Sequence, residues 1–207
     1  MLIAATEVID GARRMASKGV IGNLSIDWAL LQQHKRSFTD PVPGNREQAY
    51  ARKGIDAFHG RARFSGPNSV LVEGETLEAK HIVIAAGAEP VTLPIEGFEL
   101  LALSDDFLAL ETLPGRLVLV GGGYIGFEFA HIAARAGADV TLMNRSEQPL
   151  AGFDPDLVAL LLDRTRALGA DIKLGHEVKA VHKTAKGFDV IAEGPQGPVV
   201  IGTDLAI

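Results

Sequence analysis

The run Gly121-Gly122-Gly123-Tyr124-Ile125-Gly126 sets glycines at its first, third and sixth positions. That spacing lets a strand turn sharply into a helix whose N-terminus holds a pyrophosphate. With 23 glycines in the chain, such intervals arise by chance in loops, so the flanking residues decide. An apolar strand, Leu117 to Val120, precedes the run, and a helical pattern follows it to about Ala136, where Gly137 stops it. A second strand, Asp139 to Asn144, closes the unit within the roughly 30 residues that the fingerprint spans. In this reading Gly121 permits the tight turn, Gly123 lets the backbone approach the pyrophosphate, and Gly126 lets helix and strand pack closely. Anion binding would come from the free N–H groups and partial positive charge of the helix N-terminus. The competing reading is a glycine turn that only packs a helix on a sheet.

An NAD-selective unit has Asp or Glu at the end of its second strand, to hold the ribose 2′-hydroxyl. Here that place is taken by Asn144, followed by Arg145 and Ser146. A neutral side chain removes the repulsion of a 2′-phosphate, and a guanidinium and a hydroxyl can bind one. NADPH is therefore expected over NADH, against the alternative that Arg145 is a solvated strand-end charge. Tyr124 and Glu128 stand four apart at the start of the helix and share a face, where a tyrosine can stack on a planar ring and a carboxylate can accept hydrogen bonds. His131 is expected on the exposed side of that helix. The other histidines, His34, His59, His81, His176 and His182, are too dispersed to argue a metal site or a triad. No serine stands in a G-x-S-x-G setting. The chain has no cysteine, so it carries no disulfide, no thiolate ligand and no thiol chemistry of its own.

These residues need a frame. The 207 residues allow one core or two, and 47% hydrophobic with 22% charged residues is an ordinary globular composition. With 20 basic against 26 acidic residues, the net charge of -6 disfavours nucleic acid or an anionic membrane as partner. Neither a secretory leader nor an apolar run of about 20 residues is found, so a cytoplasmic protein is expected. A helix is expected from the first residues, through Leu2, Ile3, Val8, Ile9, Ala12 and Met15 to a stop at Gly19, with no capping residue before it. Another should cover Asp27 to about Lys35. Asp40-Pro41-Val42-Pro43-Gly44 should then break regular structure, before a short helix near Glu47 to Lys53. From Ile55 to Gly87 the pattern is strand-like, in DAFHG, RARF, SVLVE and HIVIAAG, and implies an antiparallel meander. Its last segment, Ile82 to Gly87, reads as a strand buried on both faces. Pro90 and Pro94 suggest a linker, Ser104-Asp105-Asp106 could cap a short helix, and a domain boundary falls near residue 90. Beyond the glycine unit, Asp154-Pro155-Asp156 opens a helix that Gly169 closes. Strands follow around Ile172, Val178, Phe188 to Ala192 and Val199 to Ile201, and the chain ends in what looks like the start of another.

The segment LVLVGGGYIGFEFAHIAARAGADVTLMNR, preceded by HIVIAAGAEP and SDDFLALETLP, resembles the flavoprotein pyridine nucleotide-disulfide oxidoreductases, the glutathione reductase and dihydrolipoamide dehydrogenase group. The resemblance runs through the whole chain and is most specific from 81 to 154. It implies an α/β, Rossmann-like FAD/NAD(P)-binding fold in two domains, a parallel sheet with helices plus an antiparallel meander. Residues 1–90 would be part of an FAD-binding domain and 91–207 an NAD(P)-binding domain incomplete at its end. It implies that hydride passes from NADPH to FAD and on to a disulfide substrate, in an enzyme that is a homodimer. Tyr124 resembles the family's gate over the flavin and Glu128 the carboxylate near the nicotinamide. Arg145 resembles an arginine that binds the 2′-phosphate, while Ala151 stands where a second is usual. Ala86 and Gly87 fall in the second flavin contact, with Ala86 where threonine is common, and Ala62 matches a backbone contact to the adenine of FAD. The family's first glycine fingerprint and its paired cysteines would precede Met1, and its dimerisation domain would follow Ile207. The chain therefore reads as an internal piece of a larger enzyme and not competent alone. The alternatives are a non-catalytic nicotinamide-dinucleotide-binding module, or a flavoprotein NAD(P)H oxidase or quinone reductase.

Overall fold

Strand β4 (Arg116–Val120), helix α5 (Tyr124–Arg135) and strand β5 (Asp139–Asn144) form a parallel βαβ unit in the computed structural model, which describes all of residues 1–207. The elements before them are helices α1 (Leu2–Met15), α2 (Trp28–Thr39) and α3 (Val42–Ala51), strands β1 (Ala62–Gly66), β2 (Ser69–Val72) and β3 (Glu75–Glu78), and helix α4 (Ser104–Ala109). After them come α6 (Pro155–Ala167), β6 (Asp171–Leu174), β7 (Glu177–Thr184), β8 (Gly187–Gly194), β9 (Gly197–Thr203) and β10 (Leu205–Ala206). The result is the mixed α/β fold expected, with a parallel sheet and antiparallel strands. No helix is long and apolar enough to cross a membrane.

The chain divides into two compact units, Met1–Lys35 with Val91–Ile207, and Arg36–Pro90. The first 35 residues, grouped with 36–90 on sequence, cluster by contact with residues 91–207. In that larger unit the parallel sheet runs in the order β10-β4-β5-β6, beside a separate meander β7-β8-β9. Alternation along β4 and β5 shows how the sheet is covered. Leu117, Leu119, Val140 and Leu142 point into one cluster with residues of α1, α2, α4 and α5, whereas Val118 and Met143 point into another with Val178, Val181 and Val190 of the meander. Both faces are buried, which is why these strands read as nearly continuous apolar runs. Phe107 stacks on Phe129 with centroids 4.1 Å apart, Trp28 meets Phe107 edge-on, and the Trp28 indole N–H donates to the Leu110 carbonyl at 2.8 Å.

Helix ends follow local chemistry. Met1 caps α1 with no side-chain bond, and after one 3-10 turn the chain leaves through Gly19 at φ 95°. Asp154 Oδ1 accepts from the N–H groups of Asp156 and Leu157 at the start of α6, and Gly169 leaves that helix at φ 95°. At α4 the cap differs in detail: Asp106 accepts from the Leu103 N–H at 2.7 Å.

Four expectations are corrected. The break is confined to Asp40 and Pro41, because Pro41 is the N-cap of α3 and Pro43 its second residue, where a missing N–H costs nothing, and α2 runs past Lys35 to Thr39. DAFHG is irregular. In the smaller unit the meander is β1-β2-β3, closed at Glu73 (φ 46°) and Gly74 (φ 90°), the left-handed pair that a two-residue hairpin needs. Its third strand is therefore Glu75–Glu78, and Ile82 to Gly87 forms none. Val83 and Ile84 are 87% and 74% exposed, and residues 82–92 make no backbone hydrogen bond. A strand apolar on both faces needs neighbours for its N–H and C=O groups, and no segment here pairs with this one.

Candidate dinucleotide site

The turn between β4 and α5 uses its glycines in different ways. Gly121 adopts φ 118°, and its N–H donates to the Met143 carbonyl at 2.8 Å, which fixes the turn to the end of β5. A Cβ on Gly126 would fall 2.4 Å from the Gly121 carbonyl oxygen, so the helix can approach the strand only without a side chain there. Gly123 is the N-cap of α5 at φ -83°, and a Cβ on it would meet no atom within 4 Å. The protein therefore does not itself require glycine at 123, and the space beside it is what a pyrophosphate would fill. No side chain caps the helix, so the N–H groups of its first turn remain directed at that space. These residues suit the pyrophosphate of a dinucleotide.

Gly122, to which the sequence pattern gives no role, is also closed in, by side chains. A Cβ there would lie 2.8 Å from Pro149 Cβ and 2.9 Å from Asn144 Cγ. The Asn144 side chain folds back onto the turn, where its Oδ1 accepts from the Gly122 N–H at 3.1 Å. Its Nδ2 donates to the carbonyl and hydroxyl oxygens of Ser146. Asn144 and Ser146 thus come together with the glycine turn, while Arg145 is exposed. The Glu177 carboxyl lies below its usual range because Lys179 bonds to it, and the Arg145 guanidinium adds to that effect.

Tyr124 and Glu128 do share a face. Both line a cleft of about 690 Å³ between α1 and α5, together with Glu7, Asp10 and Arg14 of α1 and Phe153. Tyr124 is 61% exposed, and Ile125 beside it is 39% exposed. His131 lies deeper in the cleft than its expected exposed position. The Thr165 hydroxyl donates to the Leu161 carbonyl at 2.6 Å and so accepts from His131 Nε2–H at 2.8 Å. Burial first, then the nearby Arg135 charge, push the His131 pKa down to about 4. Beside it Asp10 joins Arg135 at 2.7 Å and Arg164 at 3.3 Å, and the bond from Arg135 is the main reason its carboxyl falls to about 2. No local pattern announces this triad, whose members lie on three helices.

The three proposed flavin contacts lie in the smaller unit. Ala62 opens β1 opposite Val72, whereas Ala86 and Gly87 lie in the unpaired segment, and no hydrogen bond joins them to Ala62.

Residues 6–206 match the model of a family described as pyridine nucleotide-disulphide oxidoreductase. A glutathione reductase of Burkholderia cepacia is 37% identical over 166 residues, 80% of this chain and 37% of that protein. Dihydrolipoyl dehydrogenase 2 of Haloarcula marismortui is 32% identical over 200 residues, 91% of this chain and 42% of that protein. Among solved structures, the HOCl-induced flavoprotein disulfide reductase RclA from Escherichia coli superposes with a TM-score of 0.79 at 26% identity, covering 97% of this chain and 44% of that one. The chain spans less than half the length of these relatives.

Proposed function

The chain belongs to the pyridine nucleotide-disulphide oxidoreductase family, and from that premise we propose that it supplies the nicotinamide-dinucleotide site of an FAD-dependent oxidoreductase, with NADPH as the preferred nucleotide. The observation that carries this reading is the contrast between Gly126, closed by its neighbours, and Gly123, open to space in front of an uncapped helix. The bound nicotinamide supplies a hydride. The chain's own residues hold the pyrophosphate with the N–H groups of the first turn of α5, offer Arg145 to the adenosine end, and flank the cleft with Tyr124 and Glu128.

In the longer reaction of the proposal, electrons pass through FAD to a disulfide. Residues 1–90 would contribute to the flavin domain through Ala62, Ala86 and Gly87. Without a cysteine, this chain leaves reduction of a disulfide to thiols from elsewhere. A homodimeric, cytoplasmic enzyme belongs to the same proposal.

A second reading, a nicotinamide-dinucleotide-binding module without catalysis, is favoured by the unpaired 82–92 segment. Anaerobic addition of NADPH to the purified protein with FAD separates the two. Loss of the flavin's visible absorbance supports the oxidoreductase, nucleotide binding with unchanged flavin supports the module, and no binding of NADPH removes both.

A further inference from the structure

The residue at the strand end that would face the ribose in an NAD-selective unit instead closes a loop. The Asn144 Nδ2 group donates to the Ser146 carbonyl at 2.7 Å and to its hydroxyl at 3.0 Å, and Oδ1 accepts from Gly122 N–H. The Ser146 hydroxyl passes the link on to the Gln148 carbonyl at 2.9 Å, and the Leu150 N–H returns to the Gly122 carbonyl at 3.1 Å. Two bridges, one through a side chain and one through backbone, thus tie residues 144–150 to the glycine turn. The side-chain bridge requires an amide. A carboxylate would keep the bond from Gly122 but set an oxygen against the Ser146 carbonyl. The middle glycine is explained as well, since any Cβ at 122 would force Asn144 and Pro149 away.

We propose that Asn144 is a positioning residue for nucleotide selectivity: it latches the loop bearing Arg145 to the glycine turn, so that Arg145 reads the 2′-phosphate from a fixed backbone. This rests on the dinucleotide reading above. Asn144 acts through Arg145 and does not touch the nucleotide. Removing the latch therefore removes the same discrimination as removing the guanidinium, and removing both does no further harm.

Calorimetric titration of NADP+ and, separately, NAD+ into the 207-residue chain tests this. Arg145→Ala and Asn144→Ala should each lower the ratio of NADP+ to NAD+ affinity by about tenfold, the scale of one charge-assisted hydrogen bond. The double variant should match Arg145→Ala alone. Gly122→Ala, which pries the latch open without touching a charge, should lose the same ratio, and amide exchange at Gly122 and Leu150 should quicken in it and in Asn144→Ala. If Asn144→Ala does not fold, Gly122→Ala decides. Equal weakening of both nucleotides, an unchanged ratio, or additive losses in the double variant would each overturn the latch. Failure of the unaltered chain to bind either nucleotide would overturn the dinucleotide reading itself, and the latch with it.

Discussion

Gly123 and Gly126 are the same residue for opposite reasons, one facing space and the other facing backbone. Gly126→Ala puts a methyl 2.4 Å from the Gly121 carbonyl oxygen, and the strand-helix contact must open. We expect a loss of about 1–3 kcal/mol in a urea titration, the usual cost of overpacking. The cleft groups set the response to acid. His131 is lowered to about 4, so the unfolded chain takes up this proton first. Its contribution to stability is complete above about 6.5 and falls as pH drops from there toward 4. Asp10 is lowered from 3.8 to about 2, so its contribution is present above 3.8 and is lost as pH falls toward 2. Chemical denaturation across pH should therefore show two declines. His131→Gln, which can still donate to Thr165 but does not titrate, should flatten only the upper one.

At the scale of elements, the boundaries that short-range chemistry sets were legible. The Asp154 cap, the stop at Gly169 and the βαβ unit around Gly121 each depend on residues a few positions apart. Asp154→Ala should cost about 1 kcal/mol by denaturation, because it leaves two N–H groups of α6 without an acceptor. What depends on distant partners was not legible. Ile82 to Gly87 has the composition of a buried strand, yet a strand exists only with a neighbour to pair with, and periodicity does not report one. Its amides should exchange without protection while those of β4 and β5 exchange slowly, as mass spectrometry would resolve. The latch at Asn144 and the Asp10 triad escaped notice for the same reason, since their partners are 22 and 125 residues away.

For the whole molecule, membership of an oxidoreductase family and coverage of less than half its relatives' length sit beside a surface rich in uncovered apolar side chains. Ile21, Val83, Val91 and Ile84 are 96%, 87%, 83% and 74% exposed. Self-association that grows with concentration is expected in sedimentation velocity, and substitution of Val83 and Ile84 by Ser should reduce it. Binding of a nicotinamide dinucleotide at the glycine turn can be measured by NADPH fluorescence titration of the chain beside its Gly123→Val variant. Valine at 123 meets no protein atom with its Cβ and has an allowed φ of -83°, so the variant should fold with unchanged thermal stability. We expect saturable binding by the unaltered chain and loss of that binding in the folded variant, whose side chain occupies the pyrophosphate's place. Equal binding by the two, or none by the unaltered chain, would contradict it.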